Sequence, residues 1–71
     1  MLASLLRTIR NEQELSQLEI AARLLAPQSF VSKYESGERR LDLVELRRIA
    51  SALGVPLQTV VTRFEGLADA S

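Results

Sequence analysis

The sequence predicts an all-α fold, a compact bundle of five short helices around one hydrophobic core. The chain has 71 residues, which suffice for one core and therefore for a single domain, 1–71. Hydrophobic residues make up 46% of the chain and aromatic residues only 4%, so the core must be aliphatic. The abundant Leu, Ala, Arg and Glu favour helices over strands, and apolar residues recur three and four positions apart.

The first two helices are predicted from an apolar stripe and a capping box. Helix 1 is expected to run to about Gln13, with its stripe formed by Leu2, Leu5, Leu6 and Ile9. Ser16 followed by Glu19 is typical of a capping box, in which each side chain accepts a hydrogen bond from a backbone N–H of the first turn. Helix 2 is therefore expected to begin at Ser16 and to end near Leu25, before Pro27. Its apolar residues are Leu18, Ile20, Ala21 and Leu24.

Helices 3 and 4 are delimited by their flanking residues. Pro27 is expected to occupy the first position of helix 3, and Gly37 to end this helix. Asp42, with Glu45 three residues later, predicts the start of helix 4, which ends at Gly54. Its predicted apolar face consists of Leu43, Leu46, Ile49, Ala50 and Leu53.

The last helix is predicted over about 56–65, opened by Pro56 and closed by Gly66, with 67–71 as a tail. Besides Leu57, this segment carries more apolar side chains than so small a core needs: Val60, Val61, Phe64 and Leu67. Two interpretations stay open. These residues form a homodimer interface, or they pack on helix 1 within one subunit.

The composition argues against an enzyme. The chain contains no Cys and no His, which removes disulfides, Cys/His zinc sites, thiol nucleophiles and Ser/His pairs. We therefore expect no catalytic residues, metal, cofactor or small-molecule substrate.

The apolar stretch 1–9 is interrupted by Arg7 and is too short to span a membrane, and it lacks the cleavage region of a secretory signal. We expect a soluble, cytoplasmic protein.

The two faces of helix 3, predicted from Gln28 to Ser36, differ in character. At 100° per residue, Phe30, Val31 and Tyr34 gather on one side. The other side is short and polar, and it consists of Gln28, Ser29, Ser32, Lys33 and Ser36. Such a face is either merely solvated or able to read base edges in a major groove, since Gln pairs with adenine and Lys reaches guanine acceptors. The capped helix before it and the basic pair Arg39 and Arg40 after it favour the second interpretation.

Three segments carry a family resemblance. Residues 16–21 read SQLEIA, residues 27–37 read PQSFVSKYESG, and residues 49–55 read IASALGV. The chain from about 5 to 62 closely resembles the Cro/C1-type, or XRE, helix-turn-helix family. The resemblance implies a lambda-repressor-like DNA-binding domain with its helix-turn-helix at about 16–36.

The resemblance also implies roles for individual residues. Gln28, Ser29, Ser32 and Lys33 match the base-reading positions, and Gln17 matches a glutamine that binds a phosphate and steadies Gln28. Ser36, Arg39 and Arg40 match the loop that contacts the DNA backbone. Arg10 and Glu35 resemble a partly buried ion pair that positions the recognition helix. Arg47 and Arg48 are interpreted as a solvated face.

Two positions depart from the family pattern. Leu25 stands where many relatives have glycine, so the turn either avoids a left-handed residue or accepts strain. Phe30 stands where relatives often have a small polar residue. We expect it at the edge of the core rather than against DNA.

The sequence thus predicts a transcriptional regulator, a repressor or controller protein, that binds a palindromic operator in double-stranded DNA as a homodimer. Nine basic and nine acidic residues give no net charge, so binding must depend on local Arg and Lys contacts and on a second copy. The alternative is an antitoxin-like module that uses the same fold to bind a partner protein.

Overall fold

Five α-helices account for most of the computed structural model, which describes residues 1–70. They are α1 (Leu2–Glu12), α2 (Gln17–Leu24), α3 (Gln28–Ser36), α4 (Leu43–Leu53) and α5 (Leu57–Ala70). No strand occurs in this part of the chain. The predicted fold class is therefore confirmed. Helices α2 and α3 form the helix-turn-helix, α1 packs on α3, α4 packs on α2, and α5 packs on both α1 and α4.

The core is aliphatic, as expected. Its fully buried large side chains are Leu6, Ile9, Ile20, Val31, Ile49, Leu53 and Val60. Two residues that we assigned to apolar faces lie outside it, since Leu18 is 63% exposed and Leu43 is 67% exposed. Both occupy the first turn of a helix, where the apolar face begins only at Ile20 and Leu46.

Both predicted capping boxes form. The Ser16 hydroxyl accepts a hydrogen bond from the Glu19 N–H, and the Glu19 carboxylate accepts one from the Ser16 N–H, each at 3.1 Å. Asp42 and Glu45 make the same exchange at 2.7 and 3.1 Å. Because the charged form accepts these bonds, the pKa values of Glu19 and Glu45 lie below the ordinary value. The N-termini of α2 and α4 are thereby fixed.

The helix boundaries at Pro27, Pro56 and Gly66 differ from the predicted ones. Pro27 has an extended backbone and is the N-cap of α3, not its first residue, and Pro56 likewise precedes the first residue of α5. Gly66 does not end α5, which continues to Ala70, so the predicted tail is helical in its described part and Ser71 lies outside the described residues. Glycine costs a helix interior only about 1 kcal/mol, which the helix formers after it can offset.

Three arginines join helices that are distant in sequence. Arg23 of α2 donates to the Ala52 carbonyl at 2.7 Å, and Arg48 of α4 donates to the Leu24 carbonyl at 3.4 Å. Each bond supplies a donor to a carbonyl near a helix C-terminus, where intrahelical partners are missing. The third joins α5 to α1 through a bidentate ion pair, Arg63 with Glu12, at 2.6 and 2.9 Å.

The turn between α2 and α3 places Leu25 in the left-handed region, with φ 55° and ψ 42°. Ala26 N–H bonds to the Ala21 carbonyl and Leu25 N–H to the Ala22 carbonyl, the pattern of a Schellman motif, which requires this conformation. The Leu25 side chain is 92% exposed and gains little from burial. Of the two alternatives for this turn, the structure adopts the strained one.

Leu25→Gly is therefore expected to raise the free energy of unfolding by about 1 kcal/mol, because the left-handed conformation costs a residue with a Cβ about 1–2 kcal/mol. Urea denaturation of wild type and variant measures the change. Leu25→Ala is the control, since it removes the exposed side chain but keeps the Cβ, and it should leave stability almost unchanged. Equal stabilisation by both variants would contradict the backbone explanation.

Candidate nucleic-acid interface

The outer face of α3 is exposed and polar. All five side chains assigned to it are exposed: Gln28, Ser29, Ser32, Lys33 and Ser36. On the opposite side, Val31 and Tyr34 are buried in the core. The helix therefore has one anchored side and one free polar side, as a helix that enters a groove needs.

Phe30 lies at the junction of the two faces. Its ring is half-buried against the core and meets the Tyr34 ring edge to face, with centroids 5.5 Å apart and an interplanar angle of 71°. Burial raises the pKa of the Tyr34 hydroxyl above its ordinary value. The Arg39 guanidinium lies over the Phe30 ring, 5.0 Å from its centroid, in a cation–π contact. Phe30 thus occupies the core edge, as expected, and supports the loop that follows α3.

A buried ion pair joins α1 to α3. Arg10 Nε lies 2.7 Å from Glu35 Oε2, and Arg10 Nη2 lies 3.0 Å from Glu35 Oε1. The third group, Nη1, donates to the Leu15 carbonyl at 2.8 Å. The Glu35 side chain is 1% exposed and that of Arg10 is 13% exposed. The bonds to Glu35 raise the pKa of Arg10, so the guanidinium stays charged over the whole physiological range.

The same carboxylate continues the network to the recognition helix. Gln17 Nε2 donates to Glu35 Oε1 at 3.1 Å, and Gln28 Nε2 donates to Gln17 Oε1 at 3.4 Å. Arg7 lies farther out, 3.8 Å from the same Oε1. A continuous chain of polar contacts therefore leads from Arg10 to Gln28, the first residue of α3.

The loop after α3 holds the residues expected to contact phosphates. Arg39 forms an ion pair with Glu45 of the α4 capping box, whereas Arg40 is exposed. The Ser36 hydroxyl donates to the Lys33 carbonyl at 3.0 Å, so it must rotate before it can donate to a phosphate. Sequence reasoning did not predict the ion pair of Glu45 with Arg39, because this pair spans a loop and follows no periodic spacing.

The zero net charge conceals an uneven distribution. Lys33, Arg40 and Arg47 make no ion pair and no side-chain hydrogen bond with any described residue. The remaining basic side chains are engaged within the fold: Arg7, Arg10, Arg23, Arg39, Arg48 and Arg63. Within residues 1–70, the basic side chains that make no bond therefore lie only on α3, in the loop after it and on α4, whereas Arg23 and Arg48 bond to neutral carbonyls and keep their charge uncompensated.

The residues predicted for a dimer interface divide between core and surface. Val60 is 0% exposed inside the subunit, so its inclusion in an intersubunit surface was wrong. Val61 and Leu67 are 42% and 44% exposed, and Phe64 is half-buried against the core. Val61 and Phe64 line an apolar groove together with Leu2 and Leu46, above Val60. Packing within the subunit thus accounts for only part of the stripe.

Among residues 1–70, no helix combines the length and the apolar character that a membrane span requires. No cluster of three or more Asp and Glu side chains there could hold a metal ion.

Comparison with known proteins gives concordant matches. Residues 6–60 match the helix-turn-helix family model. Control protein C.MunI from a Mycoplasma species is 33% identical over 61 residues, which cover 84% of this chain and 82% of that protein. An XRE-family like protein from Pseudomonas syringae pv. tomato has a structure with a TM-score of 0.86 and 39% identity, covering 93% of this chain and 80% of that one. The restriction-modification controller protein C.AhdI from Aeromonas hydrophila gives a TM-score of 0.76 and 29% identity, covering 83% and 89%.

Proposed function

Since this chain belongs to the Cro/C1-type (XRE) helix-turn-helix family and is a DNA-binding regulator of transcription, we propose that it binds a palindromic operator as a homodimer and acts there as a repressor or controller protein. Two of its relatives are controller proteins by name. The proposed role is not enzymatic and needs no cofactor. The proposed location is the cytoplasm, which holds the operator DNA of bacteria such as those relatives come from.

The observation that carries this proposal is the anchored polar face of α3. Gln28, Ser29, Ser32 and Lys33 are exposed along one side of the helix, and the opposite side is held by the core and by the Arg10–Glu35 pair. Such anchoring favours specific hydrogen bonds, since little backbone entropy is then lost on binding. We assign base contacts to these four residues and phosphate contacts to Gln17, Ser36, Arg39 and Arg40.

Selection of bound duplexes from a random pool tests this function. We expect enrichment of a two-fold symmetric sequence with half-site centres about one helical turn, or about 34 Å, apart. The molecule measures 33 × 23 × 22 Å, so two adjacent copies can reach this spacing. Failure to enrich any sequence, together with co-purification of a partner protein, would favour the antitoxin-like alternative.

The homodimer is proposed to use the apolar groove of α5. The groove is bordered by Leu2, Leu46, Val61 and Phe64, and in a single copy it exposes apolar surface to water. A two-fold axis beside this groove would place the same side chains of the second copy against it. Burying that surface supplies the hydrophobic contribution that a stable dimer needs.

Val61→Asp is expected to convert the dimer to a folded monomer and to weaken operator binding at least about tenfold, because a charge in an apolar interface is left unpaired. Sedimentation velocity gives the oligomeric state, and circular dichroism confirms folding. Thr62→Asp is the matched control, since it introduces the same charge at the adjacent residue, on an exposed side of α5 away from the groove. A wild-type chain that sediments as a monomer would refute the groove assignment.

A further inference from the structure

Arg39 is bound from two sides in the free protein, unlike its neighbour Arg40. Its Nη2 pairs with Glu45 Oε2, and its guanidinium lies over the Phe30 ring. The Arg39 side chain is 45% exposed, so water and a DNA phosphate can still reach it. Arg40 makes no such contact with any described residue. Two adjacent arginines of one loop therefore differ in how available their charges are.

Glu45 is fixed independently of Arg39. Its other oxygen, Oε1, accepts a hydrogen bond from the Asp42 N–H at 3.1 Å as part of the α4 capping box. This bond, more than the one from Arg39, lowers the pKa of Glu45. The Glu45 side chain is 25% exposed. The carboxylate is therefore ionised and held in place whether or not Arg39 stays beside it.

A phosphate bound to Arg39 would share one guanidinium with Glu45, which accepts only from Nη2. The guanidinium binds carboxylate and phosphate through equivalent N–H groups, and two anions on one guanidinium repel each other. A phosphate that approaches Arg39 must displace the Glu45 carboxylate or accept its repulsion. Either event reduces what the Arg39 contact contributes to binding.

We propose that Glu45 limits the DNA affinity of this protein by competing with phosphate for the Arg39 guanidinium, an inference that rests on the proposed phosphate contact of Arg39. The competition carries no base information, so it weakens binding to operator and to random DNA alike. Arg40 and Lys33, whose charges are free, attract the duplex first. Glu45 thus keeps general attraction to DNA low in a protein whose net charge is zero.

Replacing Glu45 with glutamine tests the competition. Glutamine serves the same position in a capping box, so the start of α4 is retained while the charge is removed. We expect Glu45→Gln to bind a fluorescent duplex of random sequence about fivefold more tightly in anisotropy titrations, as expected for removing a like charge near 4 Å in a water-like dielectric. Combined with Arg39→Ala, the same change should produce little gain, since there is no guanidinium left to compete for.

Glu38→Gln is the matched control, because Glu38 is an exposed acid of the same loop whose carboxylate pairs with no described residue. If both glutamine variants gain equally, loss of acidic charge in general explains the effect and the competition is refuted. It is also refuted if Arg39→Ala weakens binding but Glu45→Gln binds no more tightly than wild type. A wild-type chain that binds no duplex at all would instead overturn the proposed function together with this inference. Thermal melting by circular dichroism establishes that each variant is folded.

Discussion

Arg10→Met is expected to lower the free energy of unfolding by about 3–5 kcal/mol, because it leaves the Glu35 carboxylate buried without its main counter-ion. That carboxylate is 1% exposed, and among the residues that the structure describes only Arg7 at 3.8 Å and the Gln17 amide are otherwise close enough to help. A domain of this length is stable by roughly 4–11 kcal/mol in total. The variant should therefore lose a large part of the stability of the domain.

Urea denaturation at neutral pH measures this loss, and two further variants make it interpretable. Arg10→Met with Glu35→Met should recover most of the stability, since an apolar pair of similar volume needs no counter-ion. Arg63→Met is the matched control, because it breaks a bidentate pair of similar geometry whose partners are 37% and 47% exposed. It should cost much less, as exposed ion pairs do. Equal losses from Arg10→Met and Arg63→Met would show that burial of Glu35 does not set the cost.

Gln28→Ala and Lys33→Ala are each expected to weaken operator binding by about 1–3 kcal/mol, and to do so at particular base pairs. Both side chains project from the exposed face of α3, and each can make hydrogen bonds that only certain bases accept. Titration of each variant against operators with single base-pair changes measures the effect. The wild type should distinguish the bases at the contacted position, and the variant should not.

Arg40→Ala provides the contrast for these two variants. Its side chain is exposed and unpaired within the described residues, and a phosphate contact reads no sequence. It should weaken binding to every duplex by a similar factor and reduce the log–log salt slope by about 0.9 for each lost contact. If Lys33→Ala behaves like Arg40→Ala, Lys33 contacts the backbone and the base-reading assignment is wrong.

The starts of α2 and α4 and the ends of α3 and α4 could be predicted because they depend on local chemistry. Ser16 with Glu19 and Asp42 with Glu45 satisfy the N–H groups of their own first turns, and Gly37 and Gly54 take left-handed conformations that favour glycine. The polar face of α3 followed from the 100° rotation per residue alone. The Arg10–Glu35 contact, 25 residues apart, came from the family resemblance and not from periodicity.

What could not be predicted depends on contacts between distant segments or on small differences in free energy. No tertiary contact at Gly66 forces α5 to end there, and the small free-energy cost of a glycine inside a helix is not enough to set the boundary. Arg23 and Arg48 donate to carbonyls of other helices, which no sequence spacing indicates. Leu25 adopts a left-handed conformation because the packing of α2 on α3 outweighs a local preference. Val60 was misassigned because an apolar stripe does not distinguish the core from an interface.

The polar chain from Arg10 to Gln28 has a consequence for how such a regulator can acquire new target sites. Gln28 is bonded to Gln17 and, through it, to the ion pair that the fold depends on, so changes at this position act on stability as well as on recognition. Ser29, Ser32 and Lys33 use their side chains for no bond within the described fold. We therefore expect substitutions of these three residues to shift the preferred operator with little loss of stability, and substitutions at position 28 to change recognition and stability together.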